Sequence, residues 1–181
     1  MKTRLAANLG AEAACAAHVR LVETVLRTLS ELDGVELRFT PDDSRAEIER
    51  WLRPGWHATP QGPGDLGEKL MRAVRETLAS GVRRVAVVGS DCPEMTAADI
   101  GAAWKALADH DVVIGPATDG GYWLIGLRSG DAKVFDGISW STSVVLEQTL
   151  ARCRAARLDV KRLRELPDVD TFEDWQRFCA L

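Results

Sequence analysis

Four short stretches carry residue types that could do chemistry on a charged substrate. The first is "RRVAVVGSDCPEM", Arg83 to Met95, in which an apolar run ends in Gly89 and Ser90 and then delivers Asp91, Cys92 and Pro93. The run reads as a buried strand, and in open α/β sheets ligands bind beyond the carboxyl ends of the strands. Pro93 prevents the ladder from continuing and stiffens the loop. A carboxylate held there suits Mg²⁺, which typically takes one or two protein carboxylates and completes its shell with water and phosphate oxygens. The competing reading is a turn in which Asp91 bonds its own backbone.

The second stretch is "LPDVDTFEDW". Thr171 with Asp174 three residues on predicts a capped helix start, which accounts for both without function. Asp168 and Asp170 are left over; they alternate on an extended lead-in and would project to one side. Asp170 is the second candidate metal ligand. The third, "GPGDLG" (Gly62 to Gly67), has the form G-x-G-x-x-G with Asp91 as the later acid, the pattern of a dinucleotide fingerprint. The preceding "WHATPQ" is a poor buried strand, however, and Pro63 sits inside the turn. The segment therefore reads as a loop whose backbone amides approach a ligand at the start of a helix, or as a plain loop and helix start. In the fourth, "DGGYW" (Asp119 to Trp123), Asp-Gly predicts a tight hairpin turn. The same residues would also put a carboxylate, two glycines and two aromatics at one edge, where Tyr122 or Trp123 could stack on a ring.

Other candidates read blandly. Lys2 and Arg4 belong to a terminus that often carries charge for solubility, His18, His57 and His110 fall at unrelated places, and the basic run from Arg152 to Arg164 reads as a solvated face. The sequence contains no P-loop and no G-x-S-x-G motif.

The elements that must position these residues follow from the apolar pattern. Helices are expected over Ala11 to Leu32, in "SRAEIERWL", from about Gly67 to Ser80, after Thr96 with Asp99 as its capping partner, over Thr142 to Ala156, and in "DVDTFEDWQRF". Strands are expected at "VELRFT", weakly at "WHATPQ", at Arg83 to Val88, twice around the turn in "DVVIGPATDGGYWLIGL", and at "LDVKRL". Strands alternating with helices imply an α/β architecture with a largely parallel sheet. No linker or repeat interrupts residues 1–181, so one domain is expected.

Composition narrows the class. The 181 residues are 46% hydrophobic and 28% charged, with a net charge of −4, which argues against a nucleic-acid-binding surface. No apolar run is long enough to span a bilayer, and "MKTRLAANLG" lacks the apolar stretch of a secretion signal, so a cytoplasmic setting is expected. Cys15, Cys92, Cys153 and Cys179 lack the paired spacing of zinc or dithiol sites.

Taken together, "KTRLAANLG", "GPGDLGEKL", "VGSDCPEMTAADI", "DVVIGPATDGGYWLIGL", "FDGISWSTSVVLEQTL" and "LPDVDTFEDW" resemble the selenodomain-associated transferase group. That group belongs to the nucleotide-diphospho-sugar transferase (GT-A-like) superfamily. The resemblance runs nearly end to end. It implies a single three-layer α/β/α domain with a mixed, mostly parallel sheet, and a transferase using a nucleotide sugar or nucleoside triphosphate with Mg²⁺ or Mn²⁺. It implies that Asp91 and Asp170 hold the metal, that Asp91 and Asp119 are catalytic, and that Lys2 and Arg4 neutralise phosphates. Gly64, Asp65 and Gly67 would line the nucleotide or sugar pocket, with Asp119, Gly120 and Gly121 on the second-substrate side. Nucleotidyl transfer of the guanylyl or cytidylyl kind is the alternative activity, followed by an inactive nucleotide-binding protein and an NAD-type oxidoreductase. Members of the group carry an apolar first strand before "KTRL", and this sequence starts inside that motif. A fold without that strand is expected, with an open edge that would favour a homodimer.

Overall fold

Val112 to Pro116, buried along its whole length, is the centre around which the other strands and helices are laid. The structure, a computed structural model, describes residues 3–130 and 132–180. In chain order the elements are α1 (Thr3–Leu9), α2 (Ala11–Thr28), β1 (Glu36–Phe39), α3 (Arg45–Glu49), β2 (His57–Pro60), α4 (Leu66–Ala79) and β3 (Val85–Val88). There follow α5 (Ala97–Ala106), β4 (Val112–Pro116), β5 (Tyr122–Leu127), a 3-10 turn at Ala132–Phe135, α6 (Val145–Ala155), β6 (Val160–Arg162) and α7 (Phe172–Cys179).

The strands form two sheets. One has four strands in the order β3-β5-β4-β6, and the other is the parallel pair β1-β2. In the larger sheet β5 is antiparallel to both neighbours and β4 is parallel to β6, so β5 alone runs against the rest. The sheet is mixed, as expected. Between the two sheets no strand lies among the described residues: β1 pairs only with β2, and β3 only with β5.

Period-two alternation sends successive side chains to opposite faces. Val112 and Ile114 of β4 join Ile125 and Leu127 of β5 in one apolar cluster, with Val74 of α4, Phe135 of the 3-10 turn and Cys153 of α6. Val113 and Leu124 face the other way, onto Val25 of α2 and Ile100, Ala103 and Leu107 of the α5 region. Helices thus cover both faces, which gives the three-layer arrangement. Burying each such aliphatic side chain is worth roughly 1.5–3 kcal/mol. Cys153 is part of this core, and burial pushes its thiol up to about 11.

Three helices start on capping boxes. Asp65 with Glu68, Thr96 with Asp99, and Thr171 with Asp174 each exchange side-chain and backbone bonds across the first turn of α4, α5 and α7. The terminal segment read from sequence as a charged tail is helical from Thr3 to Leu9. Leu5 anchors it, fully buried with Ala14 and Ala17 of α2 and packed against Phe172 and Trp175 of α7. The 3-10 turn is a further element that the apolar pattern does not predict; it packs against α4 and α6.

Candidate functional site

Asp91 stands just beyond the tip of β3. The strand's last pairing is Val88 with Leu124, and the Gly89 N–H still bonds the Trp123 carbonyl at 2.9 Å, so the chain leaves the sheet at Ser90. Cys92, Pro93 and Met95 are buried behind it, and they hold the loop while Asp91 stays half-buried. The Val169 N–H donates to the Asp91 carbonyl at 2.8 Å. This bond fastens the β3 loop to "DVDT", the segment carrying Asp168 and Asp170.

Each of the other acids has an identifiable partner. Asp170 is paired with Arg4 at 2.8 Å, which brings the start of the chain to the same place. Asp168 accepts from the Thr118 hydroxyl at 3.0 Å. Burial raises its pKa above the ordinary carboxylate value, and the nearby negative charge of Asp119 adds to the rise. At Asp174 burial acts upward too, but the bonds from Thr171 and the Asp170 N–H outweigh it and leave the carboxyl below its usual range. Asp119 and Asp174 thus put negative charge around Asp168, while Arg4 and Arg177 pair with Asp170 and Asp174.

The turn after β4 shapes the adjoining wall. The Gly121 N–H bonds the Asp119 carboxylate at 2.8 Å, and the Gly120 N–H bonds the Ala117 carbonyl at 3.1 Å. Gly120 has φ 87°, and a Cβ there would lie 2.2 Å from the Ser143 carbonyl oxygen, so only glycine fits. The Leu146 N–H closes the contact on the Gly120 carbonyl at 2.8 Å. The 140–146 segment therefore leans on this turn, and it leans equally on α4, because a Cβ on Gly67 would meet the Trp140 Nε1 at 2.7 Å.

The glycine-rich loop is explained largely by packing. A Cβ on Gly62 would strike the Arg72 guanidinium at 2.9 Å, and one on Gly64 would strike the Glu68 carboxylate at 2.3 Å. Those two side chains fasten the loop. Arg72 bonds the Gln61 and Pro63 carbonyls, and Glu68 accepts from the Asp65 N–H at 2.8 Å. The Asp65 carboxylate in turn accepts from the Glu68 N–H at 2.9 Å, so it serves as the α4 cap. The aromatics of "DGGYW" depart from the sequence expectation. Trp123 is 2% exposed, fills the space over Gly115 and donates to the Arg164 carbonyl at 3.2 Å. The Tyr122 hydroxyl is buried, its pKa pushed up by that burial, and its ring meets Trp140 edge-on. Both serve the core, not a ligand ring.

Lys2 lies outside the described residues. The structure adds Arg164, which sequence reading placed on a solvated face. Its guanidinium grips the Asp99 carboxylate at 2.6 and 2.7 Å and the Glu94 carbonyl at 3.2 Å. It thereby ties the loop after Asp91 to the strand leading toward Asp168. Asp168, Thr118, Trp140 and Ser143 are the other additions; only Asp168 gave a signal in the sequence, through its alternation with Asp170.

Among the described residues no group of three or more His, Cys, Asp or Glu side chains is arranged to hold a metal ion. The acids at this edge still fit Mg²⁺ or Mn²⁺, because such ions need only one or two protein carboxylates when phosphate oxygens and water complete the shell. Among the described residues, no helix is long and apolar enough to cross a membrane.

The fold is that of the nucleotide-diphospho-sugar transferases and cytidylyltransferases. The chain belongs to the family described as an uncharacterized protein conserved in bacteria (DUF2064), which it matches over residues 25–142. It is 35% identical, with a TM-score of 0.85 over 94% of its length, to a Desulfovibrio desulfuricans G20 protein described as a "putative nucleotide-diphospho-sugar transferase", of which it covers 76%. It is similar in fold, at 12% identity and a TM-score of 0.61, to CMP:2-keto-3-deoxy-manno-octonic acid synthetase in complex with CTP, over 88% of this chain and 86% of that one. A further likeness, at 13% identity and a TM-score of 0.53 over 92% and 86% of the two chains, is to Rv0371c of Mycobacterium tuberculosis H37Rv in complex with manganese. No curated protein matches the sequence.

Proposed function

We propose that this protein is a metal-dependent transferase, of the selenodomain-associated kind, that works on a nucleotide sugar or a nucleoside triphosphate. One observation carries the reading: the 2.8 Å bond from the Val169 N–H to the Asp91 carbonyl, which joins the strand-tip carboxylate to the segment holding Asp168 and Asp170. The similar proteins that hold CTP and manganese support it at the level of the fold.

In this reading Asp91 and Asp170 hold the divalent ion. When bound, that ion would bridge phosphate oxygens and offset the charge that develops on the departing oxygen. Arg4, paired with Asp170 at 2.8 Å, would neutralise the same phosphates, a role shared with Lys2. The amide groups of Gly64 and Gly67, at the start of α4, line the nucleotide side. Asp65 contributes there by capping that helix. Asp119 is the catalytic carboxylate of the second-substrate side, with Gly120 and Gly121 permitting close approach. Asp168, held by Thr118 and with its pKa raised by burial, would take a proton from an incoming hydroxyl.

The test is thermal unfolding against nucleoside triphosphates and nucleotide sugars, each with Mn²⁺ and with EDTA. A ligand at about 100 times its dissociation constant should add about 2.7 kcal/mol of stability. The expected result is a shift that requires metal, is confined to one base, and is lost in Asp91→Asn and Asp170→Asn. A shift that persists in EDTA and in both variants would sink the assignment.

A further inference from the structure

A second place in the molecule gathers charge without pairing it. An open cavity of about 420 Å³ lies between the last turns of α2 and the segment joining α3 to β2, with Arg27, Arg50 and Arg53 on its walls. Leu26 and Leu52 add apolar surface to its lining. It sits at the amino-terminal ends of β1 and β2, where the His57 N–H bonds the Val35 carbonyl at 3.0 Å. The glycine-rich loop leaves from the other end of the same pair, where the Gly62 N–H bonds Asp42 at 3.2 Å. The cavity is therefore separate from the Gly62–Gly67 side of the candidate site.

The chain has 27 acidic residues against 23 basic ones, so acids are in excess overall. Even so, none of these three arginines forms an ion pair with a carboxylate among the described residues. The one acid in the lining, Glu23, accepts from the Trp51 indole N–H at 3.3 Å and so fixes that ring. Two of the guanidiniums rest on aromatic rings: Arg50 lies 4.6 Å from the centre of Trp51 and Arg53 lies 5.6 Å from the centre of Trp56. Trp56 is itself anchored, buried and donating to the Leu32 carbonyl at 3.1 Å. A guanidinium stacked on a fixed ring has already lost much of its rotamer freedom, while its N–H edge stays available for a two-pronged bond to phosphate. All three cations are arginine, the side chain whose fork matches phosphate oxygens.

We propose that this cavity is a binding site for a phosphate-bearing small molecule, gripped by Arg27, Arg50 and Arg53. Its volume falls within the roughly 300–1,000 Å³ typical of small-molecule pockets. Nucleotides and sugar phosphates share the recognised group, and both are ligands of the right size. A nucleic-acid polymer is a poor match for three arginines on a chain whose net charge is −4.

The experiment is calorimetric titration of the full chain with inorganic pyrophosphate, a nucleoside diphosphate and a hexose 1-phosphate, all in EDTA so that no metal assists binding at Asp91. Arg50→Gln and Arg53→Gln should each weaken pyrophosphate binding about tenfold, the loss expected for a charge-assisted bond. The affinity should also fall as salt is raised. Arg53→Lys keeps the charge but not the fork; it should bind more weakly than wild type while unfolding at the same temperature. Tighter binding of the nucleoside diphosphate, or of the hexose phosphate, than of pyrophosphate names the source. Equal binding of all three assigns the site to the phosphate group alone. The proposal is overturned if the triple Gln variant binds as wild type does, or if Asp91→Asn abolishes binding that the triple variant retains. Binding of a polyglutamate peptide with none of the three phosphates would overturn it too, in favour of a protein partner.

Discussion

At the scale of single residues, two glycines show how differently the same side chain can be used. Gly120 has φ 87° and no room for a Cβ beside the Ser143 carbonyl, whereas Gly101, within α5, has nothing within 4 Å of the place a Cβ would occupy. Gly120→Ala should therefore cost at least about 2 kcal/mol, from left-handed strain and from displacement of the 140–146 segment. Gly101→Ala should stabilise by about 0.5–1 kcal/mol, because glycine in an exposed helix interior gives up backbone entropy for nothing. Urea unfolding of both variants checks the pair; equal effects would mean that the Gly120 turn relaxes freely. Both glycines are plain in the sequence, but only one can be read there. Asp119-Gly120 sits between apolar runs and announces a turn, while the Ser143 contact joins positions more than a helical turn apart and depends on how the chain folds back. Trp123 shows the opposite failure. Its place beside two glycines suggested a ligand platform, yet Gly115, on the neighbouring strand, opens a slot that draws the ring into the core.

Whole elements are most legible where their ends carry local signals. Thr96 with Asp99 and Thr171 with Asp174 are visible three residues apart, and both boxes form. The Asp65–Glu68 box has the same spacing but hides inside a glycine pattern that suggests a cofactor loop. What no local pattern contains is the clamp of Arg164 on Asp99, which bridges a separation of 65 residues. That clamp, with the Thr96 bonds, holds the Asp99 carboxyl well below the usual carboxylate range. A folded-state pKa depressed below the unfolded value near 3.9 gives stability that is complete above about pH 5 and fades as pH falls toward the folded pKa. Asp99→Asn should accordingly destabilise by about 1–2 kcal/mol at pH 7, a figure held down because Arg164 is half exposed and water screens the pair. The gap between wild type and variant should narrow only below about pH 4, where the Asp99 carboxyl takes up a proton in the unfolded chain but not yet in the folded one. Chemical denaturation at pH 7, 5 and 3 measures it. A gap that closes already between pH 7 and 5 would mean that Asp99 is not the group responsible.

Taken as a whole, the molecule divides into a sheet with a strongly buried centre, β4 and β5, and a lightly held pair of strands. In β4 every residue is buried, and in β5 all but Tyr122 are, while β1 and β2 are mostly half-exposed. The β1–β2 pair has no strand neighbour among the described residues. Its attachment to the rest runs in large part through polar clasps: Arg38 of β1 bonds Glu76 of α4, and Arg72 of α4 bonds the Gln61 and Pro63 carbonyls beyond β2. Apolar burial and polar clasps fail under different conditions. Burial is indifferent to moderate salt, whereas an ion pair whose acid is 50% exposed, as Glu76 is, weakens as ions screen it. Local opening should therefore begin in β1–β2, at a lower free energy than global unfolding, and take the glycine-rich loop with it. Amide exchange read by mass spectrometry should show β4 and β5 exchanging slowest and β1 and β2 faster. Raising the salt, or replacing Glu76 with Gln, should speed exchange in β1–β2 while leaving β4–β5 unchanged. If exchange in the two sheets instead rose together under both treatments, they would open as one cooperative unit. The clasps from α4 would then be as much a part of the core as the strands they hold.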